Sequence, residues 1–117
     1  PITQARLAQA EAELRSARAF YYQTLENAWS SAQLNNQVSI EERRDLRLAT
    51  THAVNASVSV VEAMYNLGGG SAVYSHSRLQ RYFRDIHVAK SHIMVSPTTL
   101  ETVGRLFFGL PTNTSRL

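Results

Sequence analysis

The sequence predicts an all-α protein, arranged as an up-and-down bundle of four helices. Apolar residues recur at three- and four-residue steps through most of the chain, as on the buried stripe of an amphipathic helix. No segment shows the strict alternation of a β-strand, and no glycine or proline interrupts residues 3–35. The chain has 117 residues, enough for one domain, so residues 1–117 are expected to form a single helical domain.

The first predicted helix runs from Thr3 to about Asn35. At about 33 residues it would be about 50 Å long, so it needs partner helices along its length. Larger apolar residues lie beside its predicted stripe. The stripe itself comprises Leu7, Ala10, Leu14, Ala17, Tyr21, Ala28 and Ala32.

The second predicted helix begins at a capping box, with Ser39 as N-cap and Glu42 reaching back to it. It continues to Tyr65 or Leu67. No charged residue lies between Arg47 and Glu62, whereas a surface helix keeps one charged face. We therefore expect this helix to be buried on two sides, one of them against another domain or subunit.

Three glycines, Gly68 to Gly70, end the second helix. The third helix is expected from Arg78 to about Met94, and Arg81 can pair with Asp85 four residues on. Ser96 is the expected N-cap of a fourth helix that begins at Pro97 and runs to Phe108. Gly109 and Pro111 should end it, leaving residues 112–117 as a frayed tail.

The charge distribution is uneven. Residues 1–62 carry six arginines against seven acidic residues, whereas residues 63–117 carry five arginines and Lys90 against Asp85 and Glu101. The basic half suggests an anionic partner: a phosphate-bearing cofactor, a nucleic acid or an acidic subunit. Nucleic acid is not favoured, because the first two helices are far too long for a helix-turn-helix.

Composition excludes other classes of site and location. The chain has no cysteine and no run of about 18 apolar residues, so we expect no disulfide, no membrane span and a cytoplasmic location. His87 and His92 are five residues apart and lie on different helix faces, so no metal site is expected. From the residues alone, a lone helical histidine such as His92 is more often a packed or surface side chain than a functional one.

One stretch resembles a known family. Gly68-Gly69-Gly70, then Leu79-Gln80-Arg81, Arg84-Asp85 and His92, are similar to the C-terminal helical domain of the acyl-CoA dehydrogenase superfamily. The likeness is closest to the two-component flavin-dependent monooxygenases and extends over nearly the whole chain. It implies the last of three domains in a larger flavoenzyme, a C-terminal fragment that would be inactive alone.

The resemblance also implies a site and partners. The cofactor would be FAD or FMN, approached by Gly68, Gly69, Gly70 and Ser71 and bound mainly by other domains. Arg84 and Asp85 would form a structural pair. His92 would lie beside the reactive edge of the flavin, where it assists oxygen chemistry or deprotonates a phenolic substrate. The domain would assemble into a dimer or tetramer, and a flavin reductase would be the partner.

Two alternatives remain open at this point. In many acyl-CoA dehydrogenases a catalytic glutamate follows the Arg-Asp pair by a fixed interval, and that position holds Ile93, which cannot take a proton. A dehydrogenase would therefore need its base outside this chain. The other alternative is a stand-alone helical assembly or a nucleic-acid-binding module.

Overall fold

A computed structural model describes residues 2–67, 78–92 and 96–117, and most of these belong to four helices. The helices are α1 (Ile2–Asn35), α2 (Ile40–Leu67), α3 (Arg78–Lys90) and α4 (Pro97–Phe107). The all-α class is confirmed, since no residue in the described ranges belongs to a strand. The molecule measures 51 × 26 × 23 Å. Its long dimension is that of α1, whose 34 residues rise about 1.5 Å each.

The helices α1 and α2 run antiparallel and meet along a seam of small side chains. Ala10, Ala17 and Thr24 of α1 are buried at seven-residue steps, and so are Ala49 and Ala56 of α2. We call these five residues the small-residue seam. A seven-residue repeat keeps the same face of two long helices in contact, and alanines let their backbones approach closely.

Hydrogen bonds mark both ends of this helix pair. The Ser59 hydroxyl of α2 donates to Glu13 of α1 over 3.0 Å, and the Ser31 hydroxyl of α1 donates to Glu42 of α2. Leu7 and Leu14 were predicted on the buried stripe, but they are 52% and 42% exposed. The prediction was wrong because α1 and α2 lie so close together that only small residues of α1 fit between them. The larger residues of α1 lie beside this contact.

The remaining helices α3 and α4 follow one another along a second side of α2. Phe83 of α3 packs on Tyr65 near the end of α2, and Phe107 of α4 packs under Arg44 near its start. Neither helix contacts α1 extensively within the described residues. Two sides of α2 are thus covered within this chain, and the predicted contact of α2 with another domain or subunit stays a prediction. Its exposed stripe is polar and consists of His52, Asn55, Ser59, Glu62 and Asn66.

The start of α2 is the predicted capping box. The Ser39 N–H donates to Glu42 Oε1, and the Glu42 N–H donates to Ser39 Oγ, each over 3.1 Å. Just before it, Asn36 adopts a φ of 54°, the left-handed conformation that stops α1. Both features follow from the residue types that the sequence places between the helices.

The end of α3 lies earlier than predicted, at Lys90 rather than about Met94. The N–H groups of Ser91 and His92 donate to carbonyls three residues back, each over 3.1 Å, which tightens the last turn. The Ser91 hydroxyl also donates to the His87 carbonyl over 3.2 Å. Such side-chain bonds compete with helix continuation, and the periodicity of apolar residues does not reveal them.

The chain after α4 is anchored rather than frayed. Gly109 has a φ of 70°, and the N–H of Leu110 donates to the Arg105 carbonyl over 3.0 Å, which completes a Schellman turn. Arg43 and Arg47 of α2 then donate to the carbonyls of Thr114 and Leu117, over 2.9 and 3.1 Å. The predicted fraying was wrong because long arginine side chains supply partners for the tail backbone.

Candidate functional site

The predicted flavin-contacting loop of Gly68, Gly69, Gly70 and Ser71 lies outside the described residues. Its role therefore stays a prediction. What the structure does place are the two helices on either side of this loop. The end of α2 and the body of α3 pack against each other.

His92 lies in the turn that directly follows α3, and it is exposed. Its backbone N–H donates to the Ala89 carbonyl over 3.1 Å, so the turn geometry fixes the position of its Cα. The catalytic role of His92 stays a prediction.

Arg84 and Asp85 are both exposed on α3. No hydrogen bond or ion pair joins Arg84 to Asp85 among the contacts of the described residues. Within the described part of the chain, no hydrogen bond or ion pair joins Asp85 to Arg81, the partner suggested by their spacing. The structural role of Arg84 and Asp85 remains a prediction.

Sequence reasoning missed a cluster that joins α2 to α3 next to His92. His87 Nδ1 lies 2.7 Å from the Phe83 carbonyl oxygen, and His87 Nε2 lies 3.1 Å from Glu62 Oε1. The rings of Tyr65, Phe83 and His87 form a row, with centroids 4.5 and 4.3 Å apart. The four-residue spacing of Phe83 and His87 was the available signal, but His87 was considered only as a metal ligand.

A second missed feature is a polar cavity of about 590 Å³ between α2, the start of α4 and the tail. Its lining includes two arginines, Arg47 and Arg116, and no Asp or Glu side chain. The Nε atom of Arg47 is buried with no hydrogen-bond partner, although the same guanidinium binds the Leu117 carbonyl. The other lining residues are Ser96, Thr98, Thr99, Thr102, Asn113, Ser115 and Leu117.

Large apolar side chains on α1 form an exposed surface. They lie about 90° around the helix from the small-residue seam, given 3.6 residues per turn. Trp29 is 64% exposed, and with Tyr22, Leu25 and Glu26 it lines a shallow apolar depression. Exposed apolar patches of this kind mark interaction sites. We call Leu7, Leu14, Tyr22, Leu25 and Trp29 the α1 apolar stripe.

The described residues contain neither a metal-binding cluster nor a membrane-spanning helix. In residues 2–67, 78–92 and 96–117, no three His, Cys, Asp or Glu side chains are grouped so that they could bind a metal ion. No helix in these ranges combines the length and the apolar character needed to span a bilayer.

Solved structures identify the class of fold. The chain superposes over its whole length on the 3-HSA hydroxylase from Rhodococcus sp. RHA1 and on the HsaA monooxygenase from M. tuberculosis, each with a TM-score of 0.92. Sequence identities are 22% and 20%, and the chain covers 31% of each structure. The four helices thus have the fold of one helical part of these larger proteins.

The particular family follows from the sequence. Residues 1–97 match the acyl-CoA dehydrogenase C-terminal domain, and the chain belongs to this family. It is 36% identical over 109 residues to the indole-3-acetate monooxygenase of Pseudomonas putida and 34% identical over 110 residues to that of Acinetobacter baumannii. The chain spans 28% of the length of these two relatives. The predicted family and its nearest branch are therefore confirmed.

Proposed function

We propose that this chain is the C-terminal helical part of the oxygenase component of a two-component flavin-dependent monooxygenase. The observation that carries the proposal is its 34–36% identity to two indole-3-acetate monooxygenases over 93–94% of the chain. A further relative, the pigment production hydroxylase of Rhodococcus erythropolis, is 27% identical over 100 residues. These names favour hydroxylation over the dehydrogenase alternative, as does Ile93 at the position expected for a catalytic glutamate.

A reduced flavin, FMN or FAD, would supply the oxygen-activating chemistry when bound. The residues of this chain fit such a group, because His92 presents an exposed imidazole directly after α3 and the Gly68–Ser71 loop carries no bulky side chain. A neutral imidazole can accept a proton from a phenolic substrate, and an imidazolium can donate a hydrogen bond to a developing negative charge. His92 is the catalytic residue that we assign to the chain.

The proposal includes two partners. A flavin reductase would deliver the reduced cofactor, since a relative that is 21% identical over 112 residues is the oxygenase subunit of a flavin-dependent monooxygenase. Self-association into a dimer or tetramer would cover the α1 apolar stripe, whose side chains are too large and too exposed for a free surface. The chain alone would be inactive, since it spans only 28% of its relatives.

The test uses full-length protein with the His92→Ala substitution, supplied with reduced flavin and indole-3-acetate as the first trial substrate. Loss of an acid–base group lowers turnover by about 10²-fold or more, so we expect less hydroxylated product and more hydrogen peroxide per flavin oxidised. His52→Ala is the matched control, since His52 is an exposed histidine on α2. Equal product yields in both variants would remove His92 from the mechanism. A full-length protein that oxidises reduced flavin without hydroxylating any aromatic substrate would contradict the proposed function.

A further inference from the structure

The side chain of His87 is held between two oxygen atoms from two different helices. Its Nδ1 lies 2.7 Å from the carbonyl oxygen of Phe83, one turn earlier on α3. Its Nε2 lies 3.1 Å from Glu62 Oε1 on α2. A backbone carbonyl and an ionised carboxylate both accept hydrogen bonds and donate none.

This arrangement selects one protonation state of the ring. A neutral imidazole has one N–H donor and one acceptor nitrogen, so it can satisfy only one of the two oxygens. The imidazolium carries an N–H on each nitrogen and satisfies both.

The contact lies on the interface between α3 and α2. None of the α3 side chains whose burial is described is fully buried. Within the described residues, Phe83 of α3 stacks on Tyr65 of α2, and His87 of α3 contacts Glu62 of α2. Specific contacts of this kind help to hold a helix in position.

Those contacts also lead directly to His92. The Ser91 hydroxyl donates to the His87 carbonyl over 3.2 Å, and the last turn of α3 ends with the His92 N–H bound to Ala89. Movement of His87 relative to α2 would therefore move the turn that carries His92. The distance along the chain between the two histidines is only five residues, too short to absorb a displacement of the helix end.

We propose that His87 is a positioning residue, which as an imidazolium bridges Phe83 and Glu62 and so fixes the end of α3, and His92 with it, on α2. The functional importance of positioning His92 rests on the proposed function. The bridge itself does not, because it is defined by the two distances and by the hydrogen-bonding capacity of the oxygens.

The charges around His87 act in both directions. From α2, Glu62 faces the ring and favours the imidazolium, and Tyr65 is the other titratable group of that helix in the cluster. On α3 itself, Arg84 and Lys90 are each three residues away and oppose a further positive charge. The Glu62 and His87 side chains are 48% and 37% exposed, so salt should weaken their attraction.

Two variants separate the charge from the hydrogen bonds. In His87→Gln the amide can donate to Glu62 at every pH, because a Gln side chain does not titrate. In Glu62→Gln the amide can donate to a neutral imidazole, which removes the need for the second proton. His52→Gln is the matched control on the exposed stripe of α2.

The experiment measures thermal unfolding and backbone hydrogen exchange of full-length protein at about pH 6 and about pH 8.5, on either side of the ordinary histidine titration. The unchanged protein should lose about 2 °C or more in Tm between these pH values, and the His52→Gln control should lose the same amount. It should also exchange the backbone hydrogens of residues 88–92 faster at the higher pH. Both changes should shrink in His87→Gln and in Glu62→Gln.

The outcomes are distinct for the two proposals. If residues 88–92 exchange with the same pH dependence in all four proteins, the bridge does not position α3 and the inference is overturned. If the Tm values of the four proteins have the same pH dependence but the exchange of residues 88–92 still differs, the inference is supported, and the bridge acts locally at the end of α3. A full-length protein without monooxygenase activity contradicts the proposed function, and the exchange result still decides the role of His87.

Discussion

The carboxylate of Glu42 accepts hydrogen bonds from Ser31 of α1 as well as from its own capping partner, Ser39. One residue thus starts α2 and ties it to α1 at the same point. The Ser31 hydroxyl lowers the pKa of Glu42 most, followed by the backbone N–H of Ser39 and the Ser39 hydroxyl. The bonds favour the ionised form, because a carboxylate accepts hydrogen bonds more strongly than a carboxylic acid.

This relationship predicts how stability changes with pH. A carboxyl group whose pKa is lower in the folded state stabilises the fold above its unfolded pKa, and this contribution disappears as pH falls through the folded pKa. Glu42→Gln should therefore lower the urea midpoint at neutral pH, and the difference from the unchanged protein should vanish in acid. Glu41→Gln is the control, since Glu41 lies in the same first turn and is exposed. If both substitutions lowered the urea midpoint equally, the stabilisation by Glu42 would come from the helix dipole rather than from its hydrogen bonds.

The two glycines of the α4 region should respond oppositely to alanine. Neither has an atom within 4 Å of the place where a Cβ would stand, so only backbone conformation distinguishes them. Gly109 has a φ of 70°, where an L-residue costs about 1–2 kcal/mol. Gly104 lies inside α4, where alanine gains about 0.5–1 kcal/mol over glycine. Urea unfolding of Gly109→Ala and Gly104→Ala measures both signs. Destabilisation of similar size in both variants would mean that contacts, rather than backbone preference, decide.

The small-residue seam should not tolerate a larger side chain. Ala49 is 0% exposed and lies where α1 and α2 approach each other. Ala49→Leu should destabilise the protein by about 1–3 kcal/mol, because extra atoms force the helices apart. Ala19→Leu is a suitable control, since Ala19 is exposed on α1 and the change in helix propensity is the same. A neutral effect at Ala49 would show that the helix pair can shift without loss.

Substitution in the α1 apolar stripe should affect assembly rather than folding. Trp29→Glu places a charge on the depression lined by Tyr22 and Leu25, and an unpaired charge is costly to bury in an interface. We expect full-length protein with this substitution to elute from size exclusion as a smaller species, with little change in helix content. Ser30→Glu adds the same charge on another face of α1 and should leave the elution unchanged. If Trp29→Glu eluted like the unchanged protein, the α1 apolar stripe would not be the surface through which the protein self-associates.

Much of the fold could be predicted because its signals are local. The capping box at Ser39, Pro97 at the start of α4 and Gly109 at its end each follow from the chemistry of one or two residues. The end of α3 and the anchored tail could not be predicted in this way. The end of α3 depends on a side-chain bond from Ser91 back to His87, which the apolar periodicity does not show. The tail depends on Arg43 reaching a carbonyl 71 residues away, a contact that exists only after the helices pack.

The candidate site was predicted less completely than the fold. His92 was selected through a resemblance, and the structure places it in an exposed turn rather than within a helix. His87 lies five residues before His92, and its partner Glu62 lies 25 residues before His87 on another helix. Spacing within one helix cannot reveal a partner of this kind. The Gly68–Ser71 loop remains a prediction from family likeness.

The division of α1 by side-chain size has an evolutionary consequence. Ala10 and Ala17 hold the helix on α2, whereas Leu14 and Trp29 face outward from a neighbouring sector. Substitutions in the outward set can alter which surfaces the domain recognises without disturbing the contact that folds it. Relatives with the same helical framework can therefore diverge in quaternary arrangement while the internal pair of helices stays nearly invariant in geometry.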